Sequence, residues 1–523
     1  MIVEFREVNQ LPQHARIVIV GGGAVGLAMA VYLARNGRNV LVLEAGDENA
    51  LAAPQDLFAD IETLGHPFNG LTAGRLRGLG GTTNLWGGQL VRFDPTVFDE
   101  RPWLPVSGWP IDFAELDPYY ETAFDLLGMQ RRLDDAEVWR RTGVTPPACP
   151  PDLQLFFTRW APQPNFAQFF ASDLKTNPNL TVLTRAPVTS LELGGEDGRV
   201  IGLTVTDGEG RRHTVTGDHI ILAQGTIEIA RLLKLGSSED RLAPWANHPW
   251  LGRGFVDHVD ADAGEVELLD RRRFYRLFDA ALLDGLKYLP KLKLAERAQQ
   301  QGRLLGIAGH FVFKTLNGEE LKAVKAIAQG VLRGKLDASL LSSGRLINLM
   351  RAALPAVLHY LLRRRVYNPG DQGITLRLSG EQVVVPQSSI HLTNRRDALG
   401  MPVVALDWHI DGIEVETMSY FARRVAEFLE SEGLARIALD PLLLDSDPRF
   451  IEKIEDGYHH MGMARMGTSA ADGVVDRNLK VFGTDNLYVA GAAVFPATGF
   501  ANPTLTAIAL GLRLSEHLIE DRS

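Results

Sequence analysis

Three side chains in the last part of the sequence have the chemistry to hold an alcohol and take its proton. His459 and His460 stand in Tyr458-His459-His460-Met461-Gly462-Met463-Ala464-Arg465-Met466-Gly467, and Asn502 stands in Gly499-Phe500-Ala501-Asn502-Pro503-Thr504. A neutral imidazole accepts a proton near physiological pH, so a histidine can serve as base while a hydride leaves the carbon. A second polar group must hold the hydroxyl so that the C–H bond points at the acceptor. His459 as base and Asn502 as orienting partner fit that division of labour, with His460 as the close rival. Taken alone, a His-His pair is more often structural or exposed than catalytic.

These residues need elements to hold them. Thr506 to His517 reads as a closing helix, which puts Asn502 and Pro503 at a helix start, where free N–H groups face an electron-rich neighbour. Asn486 to Ala490 reads as a buried strand ending at Gly491, followed by Ala492. At the other end of the chain, Ile17 to Val20 is an apolar run that predicts a strand buried on both faces, and Gly21, Gly23 and Gly26 end it in a GxGxxG turn before a helix. Gly21 permits the tight turn, Gly23 lets backbone N–H groups approach a pyrophosphate, and Gly26 lets the helix pack on the strand. A second strand from Asn39 to Leu43 ends in Glu44, at the spacing expected for a carboxylate that grips ribose hydroxyls. The unit predicts a dinucleotide site, and by itself it accommodates FAD or NAD. The uncharged run from Ile17 to Ala34 is about 18 residues long, enough to suggest a membrane span, but its glycines and the acidic Glu4 and Glu7 upstream favour the nucleotide unit.

Composition narrows the class. A chain of 523 residues with 45% hydrophobic and 23% charged residues is that of a globular protein with room for two domains. A net charge of -10 and a pI near 5.8 argue against general nucleic-acid binding. Cys149 is the only cysteine, which excludes an internal disulfide and a Cys-based zinc or iron–sulfur site. No metal site is expected. The sequence shows no export signal, so a cytoplasmic location is expected.

Gly74-Arg75-Leu76-Arg77-Gly78-Leu79-Gly80-Gly81-Thr82-Thr83-Asn84-Leu85-Trp86-Gly87-Gly88 is a run in which glycine permits close backbone approach while Thr82 and Asn84 supply hydrogen bonds, either to a flat cofactor or to the loop itself. It resembles the flavin-contacting loop of the glucose-methanol-choline (GMC) oxidoreductases. Four further stretches resemble that family in the same order: Ser107-Gly108-Trp109-Pro110-Ile111, the turn at Gly225, Asp257-His258, and the His459 to Asn502 region, which is most similar to the bacterial branch of pyranose and glycoside oxidases.

The resemblance implies an FAD-dependent oxidoreductase acting on the CH–OH group of a small-molecule sugar, glycoside or related polyol. It implies FAD contacts at Gly21, Gly23, Gly26, Glu44, Gly80, Gly81, Thr82, Asn84, Val188, Gly225, Gly491, Ala492, Asn502, Pro503 and Thr504. Leu85 occupies the place where sugar-oxidising members carry a histidine bonded to the flavin, which implies non-covalent FAD. His258 is expected to make a structural hydrogen bond or touch substrate. Two alternatives stay open: a lyase of the same fold that keeps FAD without redox chemistry, and oxidation of a non-sugar alcohol. The motifs leave the electron acceptor open among oxygen, a quinone and a protein.

The expected fold class is α/β (α+β overall): a Rossmann-like FAD-binding domain from residues 14–100, 180–258 and 456–520, and an antiparallel-sheet substrate domain from 101–179 and 259–455. Residues 101–179 are expected to carry one helix, Phe113 to Leu127. Ser389 to Leu392 and Val403 to His409 are expected to be strands of the substrate sheet, and Val415 to Glu432 an amphipathic helix. Within that domain, 321–366 reads as a basic helical insertion with solvated ends, or as a surface for weak contact with anionic lipid or a protein.

Overall fold

The computed structural model describes residues 1–7, 14–51, 55, 61–194, 198–206, 210–236, 242–315, 354–355 and 357–520. Its first sheet grows from the apolar run at the amino-terminal end. Strand β2 (His14–Val20) lies parallel between β3 (Val40–Leu43) and β10 (Arg212–Leu222). Ile17, Val18, Ile19 and Val20 are all buried, as expected of a strand covered on both faces. The parallel order continues through β7 (Leu180–Thr184) to β1 (Ile2–Glu4) on one side, and to β20 (Leu487–Val489) on the other. The first half of β10 turns away to form an antiparallel ribbon with β9 (Val200–Thr206) and β8 (Val188–Leu193). Helix α1 (Ala24–Arg35) covers this sheet, and the closing helix α7 (Pro503–Glu520) packs on α1, with the Tyr32 hydroxyl donating to Glu516 at 2.9 Å.

The second sheet is antiparallel, in the order β18 (Ala435–Leu439), β11 (Val259–Leu268), β15 (Ile374–Gly380), β14 (Ile307–Phe313), β13 (Leu286–Leu294), β6 (Leu153–Trp160), β5 (Gln89–Leu90). β12 (Ala281–Leu283) pairs with β13, and β19 (Glu455–Asp456) with β11. Its strands alternate, so the two faces differ in character. One face carries Leu292, Gly309, Phe311, Leu376 and Leu378. It is covered by helices α5 (Arg271–Phe278) and α6 (Ile413–Ser431), with Phe274 and Phe278 against Phe311 and Phe421 seated over Gly309. The opposite face carries Phe156, Lys291, His310 and Arg377 and looks toward the first sheet's domain. There Phe156 meets Phe500 and Lys293 pairs with Asp94 at 2.6 Å.

Two expectations are corrected. Strands β16 (Ser389–Arg396) and β17 (Pro402–Trp408) do not join the large substrate sheet; they form a separate three-stranded sheet with β4 (Glu62–Gly65), which runs parallel to β17. Alternating burial predicts a strand but not its partner, and here the partner comes more than three hundred residues earlier in the chain. Residues 101–179 hold more than one helix: α2 (Phe113–Leu126) and α3 (Asp135–Thr142) come before β6, and two short helices follow it. The strand at Leu180 joins the parallel sheet, whereas the one at Val200 joins the antiparallel ribbon, so the two are not neighbours.

Most of the expected basic insertion at 321–366 lies outside the described residues. At its end, the buried Arg365 donates to the Asp279 carbonyl at 2.7 Å. Among the described residues no helix is long and apolar enough to cross a membrane.

Candidate active site

The turn after β2 is built around close approach. Gly21 has φ +107°, and a Cβ there would lie 2.6 Å from the Gln224 Cα; a Cβ on Gly26 would lie 2.0 Å from the Gly21 carbonyl oxygen. Only glycine permits either contact. Gly23 differs, because a Cβ there would meet nothing within 4 Å, and the same holds for Gly225 and Gly491. All three line one cavity, so the backbone is bare where that cavity runs past it.

The cavity is bounded by Glu44 and Val188, by Gly21, Gly23, Gly81 and Thr82, and by His459, His460, Gly491, Ala492, Pro503 and Thr504. The remaining predicted contacts stand behind this surface. Gly26 packs α1 onto the turn. Gly80 caps a short helix in the left-handed conformation, and the Asn84 amide donates to the carbonyls of Gly81 (2.8 Å) and Leu79 (3.1 Å), shaping the loop from within. Glu44 is buried, and each of its oxygens accepts one backbone N–H, from Gly22 and Gly46, both at 2.7 Å. Burial raises its pKa, and these bonds oppose that rise. Each oxygen keeps a lone pair for a hydroxyl donor.

A dinucleotide suits such a lining. The α1 amino terminus has no side-chain cap, which leaves its N–H groups for a pyrophosphate. The helix start at Pro503 stands at the other end of the cavity.

There the sequence places two imidazoles and two amides in a chain. The His459 Nδ1 lies 2.9 Å from the His258 Nδ1, and the His459 Nε2 lies 2.8 Å from the Asn502 Nδ2. His258 Nε2 is 2.8 Å from the Gly499 carbonyl oxygen, and the Asn502 Oδ1 accepts from Gln89 Nε2 at 2.6 Å.

These contacts fix the protons. A carbonyl can only accept, so the His258 Nε2 carries hydrogen and its Nδ1 a lone pair. The His459 Nδ1 must then donate to His258, which leaves the lone pair of His459 on Nε2. Gln89 holds the Asn502 oxygen, so the Asn502 amide nitrogen is the atom turned to that lone pair. The result is a neutral imidazole with a basic nitrogen beside an N–H donor.

Burial supports the neutral state. Desolvation lowers the pKa of His459 well below the usual histidine value, with the nearby His258, His460 and Lys291 adding to the effect, and it brings His258 down to about 4. The backbone of the pair is clamped by Asp257, whose Oδ1 accepts from the N–H of His258 at 2.6 Å and of His459 at 2.8 Å.

His460 points elsewhere. Its ring packs between Phe68 and Phe255, its Nε2 has no hydrogen-bond partner among the described residues, its carbonyl accepts from Thr226, and burial lowers its pKa to about 3. Adjacent residues thus face different neighbours, and only His459 touches Asn502. Sequence reasoning missed Gln89 and the clamping role of Asp257. Gln89 follows the glycine pair at 87–88 by one residue, but nothing local signals that it reaches Asn502.

Known proteins resemble this chain in sequence and in fold. Residues 16–244 match a model of the FAD dependent oxidoreductases, and residues 385–511 match the carboxy-terminal model of the GMC oxidoreductases. The chain is 21% identical to 2-methyl-1,2-propanediol dehydrogenase of Mycolicibacterium austroafricanum, over 96% of this chain and 94% of that protein. It is 23% identical to 6'''-hydroxyparomomycin C oxidase of Streptomyces lividus, over 97% and 92%. Among solved structures, a formate oxidase of Aspergillus oryzae, studied for modification of its FAD, superposes with a TM-score of 0.60 at 18% identity, covering 98% of this chain and 99% of that one. At that identity the last likeness concerns the fold.

Proposed function

We propose that this chain, which carries an FAD dependent oxidoreductase domain and a GMC oxidoreductase carboxy-terminal domain, oxidises the CH–OH group of an alcohol or sugar-type substrate, with His459 as base and Asn502 as orienting group. The supporting observation is the chain of contacts that leaves the His459 lone pair on Nε2, 2.8 Å from the Asn502 amide nitrogen.

FAD, when bound, supplies the acceptor for the hydride. Gly23, Gly81, Gly225 and Gly491 would hold it by close backbone approach, Glu44 would accept from its ribose, and the Pro503 helix start would face its electron-rich end. A substrate hydroxyl that takes the place of the Asn502 amide at the His459 Nε2 donates there and accepts from the Asn502 Nδ2–H it has displaced. That leaves its C–H bond as the only one free to point away from the pair. As the hydroxyl proton moves to Nε2, the imidazole becomes cationic. His258 keeps its acceptor toward Nδ1–H throughout, so the ring does not turn during the transfer. His258 is fully buried, and His459 and Asn502 are partly so, which strengthens each interaction.

FAD is held without a covalent bond in this reading, since Leu85 offers no nucleophile. Acid precipitation should leave the yellow colour in the supernatant. Anaerobic addition of monosaccharides, glycosides and simple alcohols tests the activity directly. Bleaching of the flavin absorbance is the expected result, and a spectrum unchanged by every one of them, in a protein that dithionite still bleaches, would defeat the proposal.

A further inference from the structure

The face of the antiparallel sheet that looks toward His459 carries polar atoms without a hydrogen-bond partner among the described residues, although the other oxygen of Asp260 pairs with Arg377 at 3.7 Å. Register sets them side by side: Leu292 pairs with Gly309 across β13 and β14, so Lys291 and His310 are the next directly opposed pair, and His310 in turn opposes Arg377 on β15. Asp260 stands two residues after His258 on β11 and opposes Ser379, which itself opposes Ala308. Two small side chains, Ser379 and Ala308, therefore form a floor, with Asp260, His310 and Lys291 around it.

Buried polar atoms are ordinarily paired. Here the Asp260 Oδ1 and the His310 Nδ1 have no hydrogen-bond partner among the described residues, and no described residue pairs with the Lys291 ammonium, although Lys291 is only 8% exposed. His258, which contacts the His459 ring at 2.9 Å, immediately precedes β11, and Asp260 two residues later lies on the same side of the chain, so this wall stands beside the base.

We propose that Lys291, His310 and Asp260 form a hydroxyl-reading wall that selects a neutral polyhydroxylated substrate, holding hydroxyls other than the one oxidised at His459. The inference rests on the reading of this cavity as an alcohol-oxidising site. It follows by elimination from the donor and acceptor set. An ammonium can only donate, a carboxylate oxygen can only accept, and an imidazole nitrogen can do either. An anionic substrate would satisfy Lys291 and confront Asp260. A cationic one would satisfy Asp260 and confront Lys291 and Arg377. An apolar alcohol would leave all three atoms unpaired in the complex, each at the full desolvation cost. A hydroxyl both donates and accepts, so a molecule with several of them satisfies the whole set. Adjacent strands are about 4.8 Å apart. That is close to the separation of hydroxyls across a pyranose ring.

The test uses the FAD-loaded enzyme and two near-isosteric variants, Lys291→Met and Asp260→Asn, each checked for flavin content and melting temperature. Methyl β-D-glucopyranoside, cyclohexanol, gluconate and choline are compared by calorimetric binding and by anaerobic flavin reduction. The expected result is that each substitution lowers glucoside binding and its kcat/KM by about 30-fold while cyclohexanol values move less than about 3-fold. Equal loss for both ligands, tighter binding of gluconate or choline than of the glucoside, or no glucoside binding by the parent enzyme would overturn the wall. Glucoside binding that depends on Lys291 without any bleaching would uphold the wall and defeat the oxidation reading. Bleaching that ignores both substitutions would do the reverse.

Discussion

The two sheets contribute to the site in opposite ways. The parallel sheet offers backbone: Gly21 and Gly26 for close approach, Gly23 for open space, and an uncapped helix start. The antiparallel sheet, with the loops that bridge to it, offers side chains: Gln89, His258, Lys291 and His310. At the first, any side chain is an obstruction. At the second, identity and tautomer decide everything. Binding and chemistry should therefore separate cleanly under mutation.

The largest effect is expected from His459→Ala, which should slow anaerobic flavin reduction by about a thousandfold with FAD content unchanged. Reduction at the parental rate would remove His459 from the mechanism. The glycines sharpen the contrast next. Gly26→Ala sets a Cβ against the Gly21 carbonyl and should destabilise the fold by about 3 kcal/mol in denaturant melts. Gly23→Ala meets no protein atom, so stability should change by less than about 0.5 kcal/mol while the purified protein loses colour. Equal melting losses in the two would contradict the assignment of Gly23 to a ligand surface.

The pH profile comes third. A base is lost when it is protonated, and burial moves that event at His459 well below the ordinary value of 6.5, so kcat/KM should stay level as pH falls through 6.5. On the alkaline side, burial lowers Lys291 to about 8, despite the opposing charge of Asp260. Polyol affinity should therefore decline as pH rises through about 8, and Lys291→Met should lack that limb. His310, Arg377, His258 and His459 share the surroundings, and none of the histidines gains a charge in that range. The smallest effect is expected for Gln89→Leu, which frees the Asn502 amide to turn and should lower the reduction rate about tenfold with little change in binding.

The same contrast explains what could be read from the residues alone. Backbone demands write themselves locally, because a turn that passes within 3 Å of its neighbours must be glycine wherever the rest of the fold lies. The turn at Gly21 and Gly26 was legible for that reason. The pairing of His459 with Asn502 was legible because proton abstraction needs one of each type near a helix start. Gln89, Asp257 and the set Asp260, Lys291 and His310 were not, because their meaning lies in register. Lys291 sits in a sequence of alternating apolar and basic residues that reads as a solvated strand face, and only its alignment against His310 turns that face inward. The small sheet was misjudged on the same ground.

Tyr32 and Glu516 lie 484 residues apart in the chain yet share a hydrogen bond. The whole of that stretch must be made before α7 can settle on α1. A nascent chain can form β2 and its glycine turn early, but the chamber for the cofactor is complete only once the segment carrying Asn502 has been made. Flavin capture is therefore a late maturation event, and chains interrupted before Asn502 would emerge with half a cradle and no chemistry.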